Sequence, residues 1–273
     1  MAASSYEYMG GVFNWTMTYR LDSDIVRPYG QLSPLGDTPS PAQGWLAVPA
    51  APIAPSAAAL EAHNSSDAPG EGERKALVAW LVSHCRTPSR REDYVRALSQ
   101  HIDVDVYGKC GSRRWPRNDT VGFYRMLSAK YTFYLSFENS LCRDYVTEKL
   151  FNVLPLDIVP VVYGGANYSA IVPPHSYIDA RDFETPRDLA RYLQFLARRP
   201  EELEKFWWWK RHYRVNQYPS SVLCHLCERV HNPGPAGAYQ DVARWYSGPG
   251  ICQEPPSEVY KTTKPLTAKL SKT

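Results

Sequence analysis

Apolar and polar positions fall into a regular alternation from Lys75 onward. Leu77-Val78-Ala79-Trp80-Leu81-Val82 is a short, uninterrupted apolar run, the pattern of a strand buried on both faces. Residues 90–100 follow with Tyr94, Val95 and Leu98 at helical spacing, and Asp103-Val104-Asp105-Val106-Tyr107 alternates as a strand that stops at Gly108. Residues 131–137 read as a third strand, 146–154 as a helix, and 157–163 as a strand ending in Gly164-Gly165. A short strand near Tyr177 and two helices over about 186–198 and 200–212 complete the series. Strands alternating with helices predict an α/β fold built on a Rossmann-like, doubly wound parallel sheet. Ligands of such sheets lie beyond the carboxyl ends of the strands, so the loops after Val82, Phe137 and Tyr163 are the places to look.

The organisation upstream is different. Residues 1–30 carry a compact aromatic motif. Residues 31–75 are poor in apolar bulk and rich in Pro, Ala and Ser, which predicts a disordered insertion. The longest uncharged run, residues 38–60, contains Pro39, Pro41, Pro49, Pro52 and Pro55, a density that would break a membrane-spanning helix repeatedly. The amino terminus lacks the basic start and apolar stretch of a signal peptide. The remaining boundaries are 76–232 for the sheet domain and 233–273 for a carboxyl-terminal tail.

Composition narrows the function classes. Among 273 residues, 31 Lys and Arg against 28 Asp and Glu leave +3, too weak a field for a general nucleic-acid binder. Aromatics reach 13%, a supply that fits either a large aromatic core or a surface that stacks on sugars or bases. Sequons at Asn14, Asn64, Asn118 and Asn167 favour the secretory pathway. Asn14 and Asn167 fall in motifs expected to pack, which leaves Asn64 as the better glycan acceptor.

The loop after the first strand, Ser83-His84-Cys85-Arg86-Thr87-Pro88-Ser89-Arg90-Arg91, sets hydroxyls and three arginines where a helix begins, a favourable anion site; its bland counterpart is a solvated basic loop. After the third strand come Phe137-Glu138-Asn139-Ser140 and Asp144-Tyr145-Val146-Thr147-Glu148-Lys149. There Glu148 suits ribose hydroxyls, Lys149 a phosphate, and Tyr145 an aromatic contact; alternatively, Thr147 and Glu148 simply serve the amides of a helix start. Asp22-Ser23-Asp24 has the form of a metal-binding Asp-x-Asp, a pattern frequent by chance. Cys224-His225-Leu226-Cys227, with His231 and Cys252, admits a zinc reading, but disulfides are preferred. Phe206-Trp207-Trp208-Trp209 reads as core packing rather than a sugar platform. No P-loop or Gly-x-Gly-x-x-Gly is present.

Taken together, three segments resemble the α-1,3-fucosyltransferases. They are Phe13-Asn14-Trp15-Thr16-Met17-Thr18-Tyr19-Arg20 with Asp22-Ser23-Asp24; Val78-Ala79-Trp80 through Tyr107-Gly108-Lys109-Cys110-Gly111; and Tyr134-Leu135-Ser136-Phe137-Glu138-Asn139-Ser140 through Tyr145-Val146-Thr147-Glu148-Lys149. The likeness continues through Val159-Pro160-Val161-Val162-Tyr163-Gly164-Gly165-Ala166-Asn167-Tyr168.

The resemblance implies the donor-binding lobe of a two-lobed, GT-B type, inverting glycosyltransferase. Such an enzyme transfers L-fucose from GDP-fucose, without an obligatory metal, to GlcNAc of glycoprotein N-glycans at the lumenal side of the Golgi membrane. Carried over by position, Arg91 and Lys149 would neutralise the diphosphate and Glu148 would bind ribose. Tyr29, Ser83, Tyr134, Asn139 and Tyr145 would line the donor pocket, and Asp22 and Asp24 become structural residues near a lobe junction. The family's membrane anchor, acceptor lobe and catalytic glutamate of a Glu-Ser-Pro motif would lie upstream of Met1, so the chain is expected to be a donor-binding fragment. The alternative is an inactive sugar-nucleotide-binding or interaction protein derived from the family. Cys224 and Cys227 are expected to pair with each other or with upstream partners.

Overall fold

The computed structural model describes residues 9–46, 78–217, 219, 221–234 and 237–256. The strands in chain order are β1 (Met17–Thr18), β2 (Ile25–Val26), β3 (Gln31–Pro34), β4 (Val78–Leu81), β5 (Val104–Tyr107), β6 (Phe133–Phe137), β7 (Leu141–Cys142), β8 (Val159–Tyr163), β9 (Ile178–Asp179), β10 (Tyr213–Asn216) and β11 (Cys252–Gln253). The helices are α1 (Arg91–Leu98), α2 (Thr120–Lys130), α3 (Glu148–Phe151), α4 (Pro186–Ala197), α5 (Pro200–Glu204), α6 (Ser221–His231) and α7 (Val242–Ser247).

Five strands form one parallel sheet in the order β5-β4-β6-β8-β9. Counted along the chain this is 2-1-3-4-5, so the direction of winding reverses between β4 and β6. That reversal splays the connections apart and opens a crevice at the strands' carboxyl ends. The expected α/β doubly wound sheet is therefore present.

Burial follows the two-residue period of the strands. Val78, Trp80, Phe133, Leu135, Phe137, Val159, Val161 and Tyr163 pack into one core with α1 and α4. Ala79, Tyr107 and Tyr134 face the other side with Phe123 and Leu127 of α2. Both faces are thus covered, which is why the central strands β4, β6 and β8 read as mainly apolar runs while the edge strand β5 alternates.

Several expectations change. The predicted helix over 146–154 is a single turn, α3, closed at Asn152, with residues 152–155 continuing as turns ahead of β8. The predicted helix over 200–212 is α5 followed by a 3-10 segment, Lys205–Arg211. Phe206 and Trp209 of that segment are buried, as core packing requires. Helix α2, which the apolar pattern does not announce, starts where Asp119 accepts from the Gly122 amide.

The stretch taken for a disordered insertion is ordered at its start. Residues 31–34 form β3, antiparallel to β10, with Leu32 buried. Trp45 donates to the Ser169 carbonyl at 2.7 Å and sets its ring 5.3 Å from Tyr213. A few apolar anchors suffice to hold a Pro-rich segment. Residues 47–75 of that expectation lie outside the described residues, as does Leu77 of the first predicted strand.

The expected tail also packs. Residues 237–256 include α7 and β11, and β11 pairs with β7. Disulfides join Cys142 to Cys252 and Cys85 to Cys110. The expected pairing of Cys224 with Cys227 is not made: both thiols are exposed on α6, and His231 turns its Nδ1 to the Cys227 carbonyl at 2.8 Å. Cys252, spent in a disulfide, is withdrawn from any zinc set. Asn14 and Asn167, expected to pack, are exposed, and so is Asn118; Asn64 lies outside the described residues. Among the described residues no helix is long and apolar enough to cross a membrane.

Candidate functional site

The crevice at the β4/β6 reversal is built by stitching two loops together. Ser89, in the loop after β4, donates through Oγ to the Glu138 carbonyl (2.7 Å) and through its amide to the Asn139 carbonyl (3.0 Å). The Glu138 amide in turn donates to Tyr163 at the end of β8 (2.9 Å). Arg90 turns the chain into α1 in a left-handed conformation, φ 50°, which delivers Arg91 inward. The Arg91 guanidinium is buried beneath the crevice, donating to the carbonyls of Phe137 and His84 and lying 5.5 Å from the Trp80 ring. Among the described residues its Nε has no hydrogen-bond partner, nor has the buried Asn139 Oδ1. Burial lowers the Arg91 pKa, and the Glu138 carboxylate opposes that shift.

Over this floor sits α3. Thr147 caps it in extended geometry, Glu148 is half-exposed at its first position, and Lys149 is mostly covered. Lys149 Nζ reaches Thr147 Oγ1 at 2.7 Å, Glu138 at 3.1 Å and Glu148 at 3.4 Å. Glu138, 1% exposed, also accepts from the Thr147 amide at 2.8 Å and from its hydroxyl at 2.9 Å. Burial raises the Glu138 pKa, with the Lys149 ammonium and the Thr147 donors pulling it back.

Tyrosines wall the crevice. Tyr145 is buried, 5.0 Å from the Tyr19 ring, and its hydroxyl pKa is raised by burial and then by Glu138. Tyr29, 42% exposed, is raised by burial and then by Glu148. Tyr134 is buried on the α2 side; burial raises its pKa and Tyr124 adds to that, while Arg91 pulls it back. Ser83 lines instead a neighbouring cavity of about 450 Å³, where Trp115, Phe123 and Tyr124 supply aromatic faces and Lys109, Arg114, Arg117 and Asp119 the charge.

The structure thus brings Tyr29, Tyr145 and Glu148 within electrostatic reach of one another, with Lys149 paired to Glu148, the buried Tyr134 within reach of Arg91 and Glu148, and Ser83 in the neighbouring cavity. Sequence reasoning passed over Glu138 as a site residue and took Thr147 only as a helix cap. The available signal was a carboxylate directly after a mainly apolar run, Phe133-Tyr134-Leu135-Ser136-Phe137, a position that burial makes costly unless it is paired. A larger cavity of about 830 Å³ lies between the β3 region and α6 and contains none of the eight predicted residues.

The Asp-x-Asp carboxylates are engaged elsewhere. Asp22 accepts from Arg20 and Arg143, and Asp24 from the Thr16 amide (2.9 Å) and the Tyr239 hydroxyl (2.9 Å). Arg20, buried, also donates to the Trp245 carbonyl and stacks 4.4 Å from that ring. These contacts tie the aromatic motif to the carboxyl-terminal segment.

Comparison with known proteins adds to this geometry. Residues 72–245 match the model of glycosyltransferase family 10 (fucosyltransferase) C-term, and residues 2–30 match that of the fucosyltransferase N-terminal region. Alpha-(1,3)-fucosyltransferase C of Drosophila melanogaster is 41% identical over 245 residues, covering 86% of this chain and 54% of the relative. Alpha-(1,3)-fucosyltransferase 4 of Homo sapiens is 36% identical over 241 residues, covering 86% and 41%. Glycoprotein 3-alpha-L-fucosyltransferase A of Drosophila melanogaster is 33% identical over 246 residues, covering 88% and 44%. The chain spans about half the length of the curated relatives it matches. A crystal structure of an alpha1,3-fucosyltransferase with GDP-fucose superposes with a TM-score of 0.47 at 20% identity, over 60% of this chain and 49% of that one.

Proposed function

The chain belongs to glycosyltransferase family 10, the fucosyltransferases, and from that premise we propose that its β4/β6 crevice binds GDP-fucose for α-1,3 transfer of L-fucose to GlcNAc of glycoprotein glycans. The single observation that carries this reading is Lys149, held at the rim of the crevice beside the ribose-competent Glu148. In an inverting transfer the bond from fucose C1 to the β-phosphate oxygen breaks as the acceptor oxygen attacks from the opposite face. The diphosphate then departs with its full negative charge, and a base takes the acceptor's proton. Lys149 meets the departing charge directly, and Arg91 contributes from beneath. Glu148 accepts from ribose hydroxyls, and Tyr29 and Tyr145 flank the sugar-diphosphate. The adjoining cavity, with Trp115 and Tyr124, offers the flat apolar surfaces that a purine base needs.

The name of the Drosophila glycoprotein 3-alpha-L-fucosyltransferase A supports a glycoprotein acceptor. Two disulfides, one within the sheet domain and one joining it to the carboxyl-terminal segment, support the lumen of the secretory pathway, at the Golgi membrane. Charge neutralisation by side chains is the role a divalent cation would otherwise take, which supports transfer without an obligatory metal. The reading is tested by titrating GDP-fucose into the chain: saturable binding that Lys149→Ala weakens at least about tenfold is expected, and binding indifferent to that substitution would refute it.

A further inference from the structure

The group the proposed reaction leaves unused is Glu138. A carboxylate that is 1% exposed costs free energy unless every lone pair has work, and here the work converges on one place. The Thr147 amide and hydroxyl and the Lys149 ammonium all point at it, at 2.8 to 3.1 Å. The position is fixed from the other side as well. The Glu138 amide is held by Tyr163, and its carbonyl by the Ser89 hydroxyl. Gly164 leaves room beside the side chain: a Cβ there would meet Glu138 Cγ at 3.4 Å and the Tyr168 hydroxyl at 2.3 Å. Glu138 is therefore anchored to β8 and to the loop that starts α1, while its carboxylate reaches into α3.

We propose that Glu138 and Thr147 form a buried acceptor clamp that positions Lys149 for the diphosphate of the nucleotide donor. Both are positioning residues, acting through the Lys149 ammonium rather than on the donor itself. A lysine has four rotatable bonds and, left alone at a crevice rim, samples many directions at an entropic cost to any ligand that must fix it. The clamp removes that freedom beforehand. Its carboxylate offsets the charge of Lys149 and of the buried Arg91 while the site is empty, and a phosphate oxygen can then take over the proton that otherwise makes the long 3.4 Å contact to Glu148, without first ordering the chain. Thr147 Oγ1, 2.7 Å from Nζ, sets the direction, and Glu138 sets the depth.

The proposal rests on the donor-site reading, and its test separates the two. The full 273-residue chain is compared as wild type, Lys149→Ala, Glu138→Gln and Thr147→Val. GDP affinity is measured by calorimetry and guanosine affinity by ligand-observed NMR, and the ratio of the two isolates the diphosphate contribution. Lys149→Ala is expected to cut that ratio at least about tenfold. Glu138→Gln is expected to cut it nearly as much while guanosine affinity holds, and the double substitution Glu138→Gln/Lys149→Ala to cut it no further. If Glu138→Gln does not fold, Thr147→Val, which keeps the β-branched shape, decides: it should lower the ratio severalfold. An unchanged ratio in the clamp variants, or guanosine and GDP affinity falling together, would overturn the positioning role while Lys149 keeps its own. A ratio unmoved by Lys149→Ala would bring down the donor site and the clamp with it.

Discussion

The Cys142–Cys252 bridge joins strand β7, which precedes α3, to β11 in the carboxyl-terminal segment across 110 residues of chain, whereas Cys85–Cys110 closes only 25. Chain entropy in the unfolded state then assigns about 4.8 kcal/mol to the first and about 3.5 kcal/mol to the second. Against the roughly 5–15 kcal/mol that holds a domain folded, the longer bridge is a large fraction of the whole. The perturbation is Cys142→Ser with Cys252→Ser, compared with Cys85→Ser and Cys110→Ser. Urea unfolding followed by tryptophan fluorescence gives both losses on one scale, with equal slopes confirming that the same surface unfolds.

The longer bridge has a second effect that the shorter lacks. It holds β11 on β7 and keeps the segment that carries Tyr246, a neighbour of Tyr19, beside Tyr145. Its removal should cost about 1 kcal/mol more than removal of the shorter bridge and should also weaken GDP binding. A loss no larger than that of the shorter bridge would refute the entropic reasoning, and unaltered GDP affinity would refute the link to the site.

Three further outcomes follow from named contacts. Glu148→Ala should leave thermal stability within about 0.5 kcal/mol, because the side chain is half-exposed, yet weaken GDP several-fold through the lost ribose contact; equal affinity in calorimetry would contradict its role. Gly165→Ala places a methyl 2.3 Å from the Leu141 carbonyl carbon and oxygen, backbone atoms that cannot swing away, so a loss of about 1–3 kcal/mol is expected in urea unfolding and an unchanged midpoint would be decisive against it. At Asp24, burial alone would raise the pKa, but the Thr16 amide, the Tyr239 hydroxyl and Arg229 outweigh it and hold the group below its ordinary 3.8. The folded state therefore binds this proton less tightly than the unfolded chain, and the stabilisation is present above about pH 4 and lost as pH falls through the depressed value. Asp24→Asn should accordingly destabilise by about 1 kcal/mol at neutral pH and by progressively less as the pH is lowered below about 4; a difference that does not shrink in acid would argue against the ionised carboxylate as its source.

What could be read from the sequence was set by how local the physics is. Strands β4, β6 and β8 are buried on both faces, so an apolar run identifies each without knowledge of its neighbours. The reversal of winding between β4 and β6 is not in any one run, but the loops it exposes are the same ones that periodicity picks out. Helix α2 escaped because its buried contacts reduce to Phe123 and Leu127, with Val121 left exposed and Gly122 inside the first turn. Residues 31–46 looked disordered because composition counts apolar residues, whereas Leu32 and Trp45 act through distant partners in β10 and beside Ser169.

Site residues show the same division. Glu148 and Lys149 stand out by type and spacing, and so do Arg91 and Tyr145. That Arg91 lies under the crevice rather than in its mouth depends on the left-handed turn at Arg90. Glu138 was hidden because its partners arrive from three elements, and only folding makes a buried carboxylate of it. Cysteine pairing is equally non-local: Cys252 finds Cys142 through the β7–β11 ladder, a pairing that sequence spacing does not encode.

The most direct test of the central claim is a calorimetric titration of GDP-fucose into the 273-residue chain, with Lys149→Ala beside it. Saturable binding, weakened at least about tenfold by the substitution, is the predicted result. A folded chain that takes up no GDP-fucose, or binds it equally well without the Lys149 ammonium, would contradict the account.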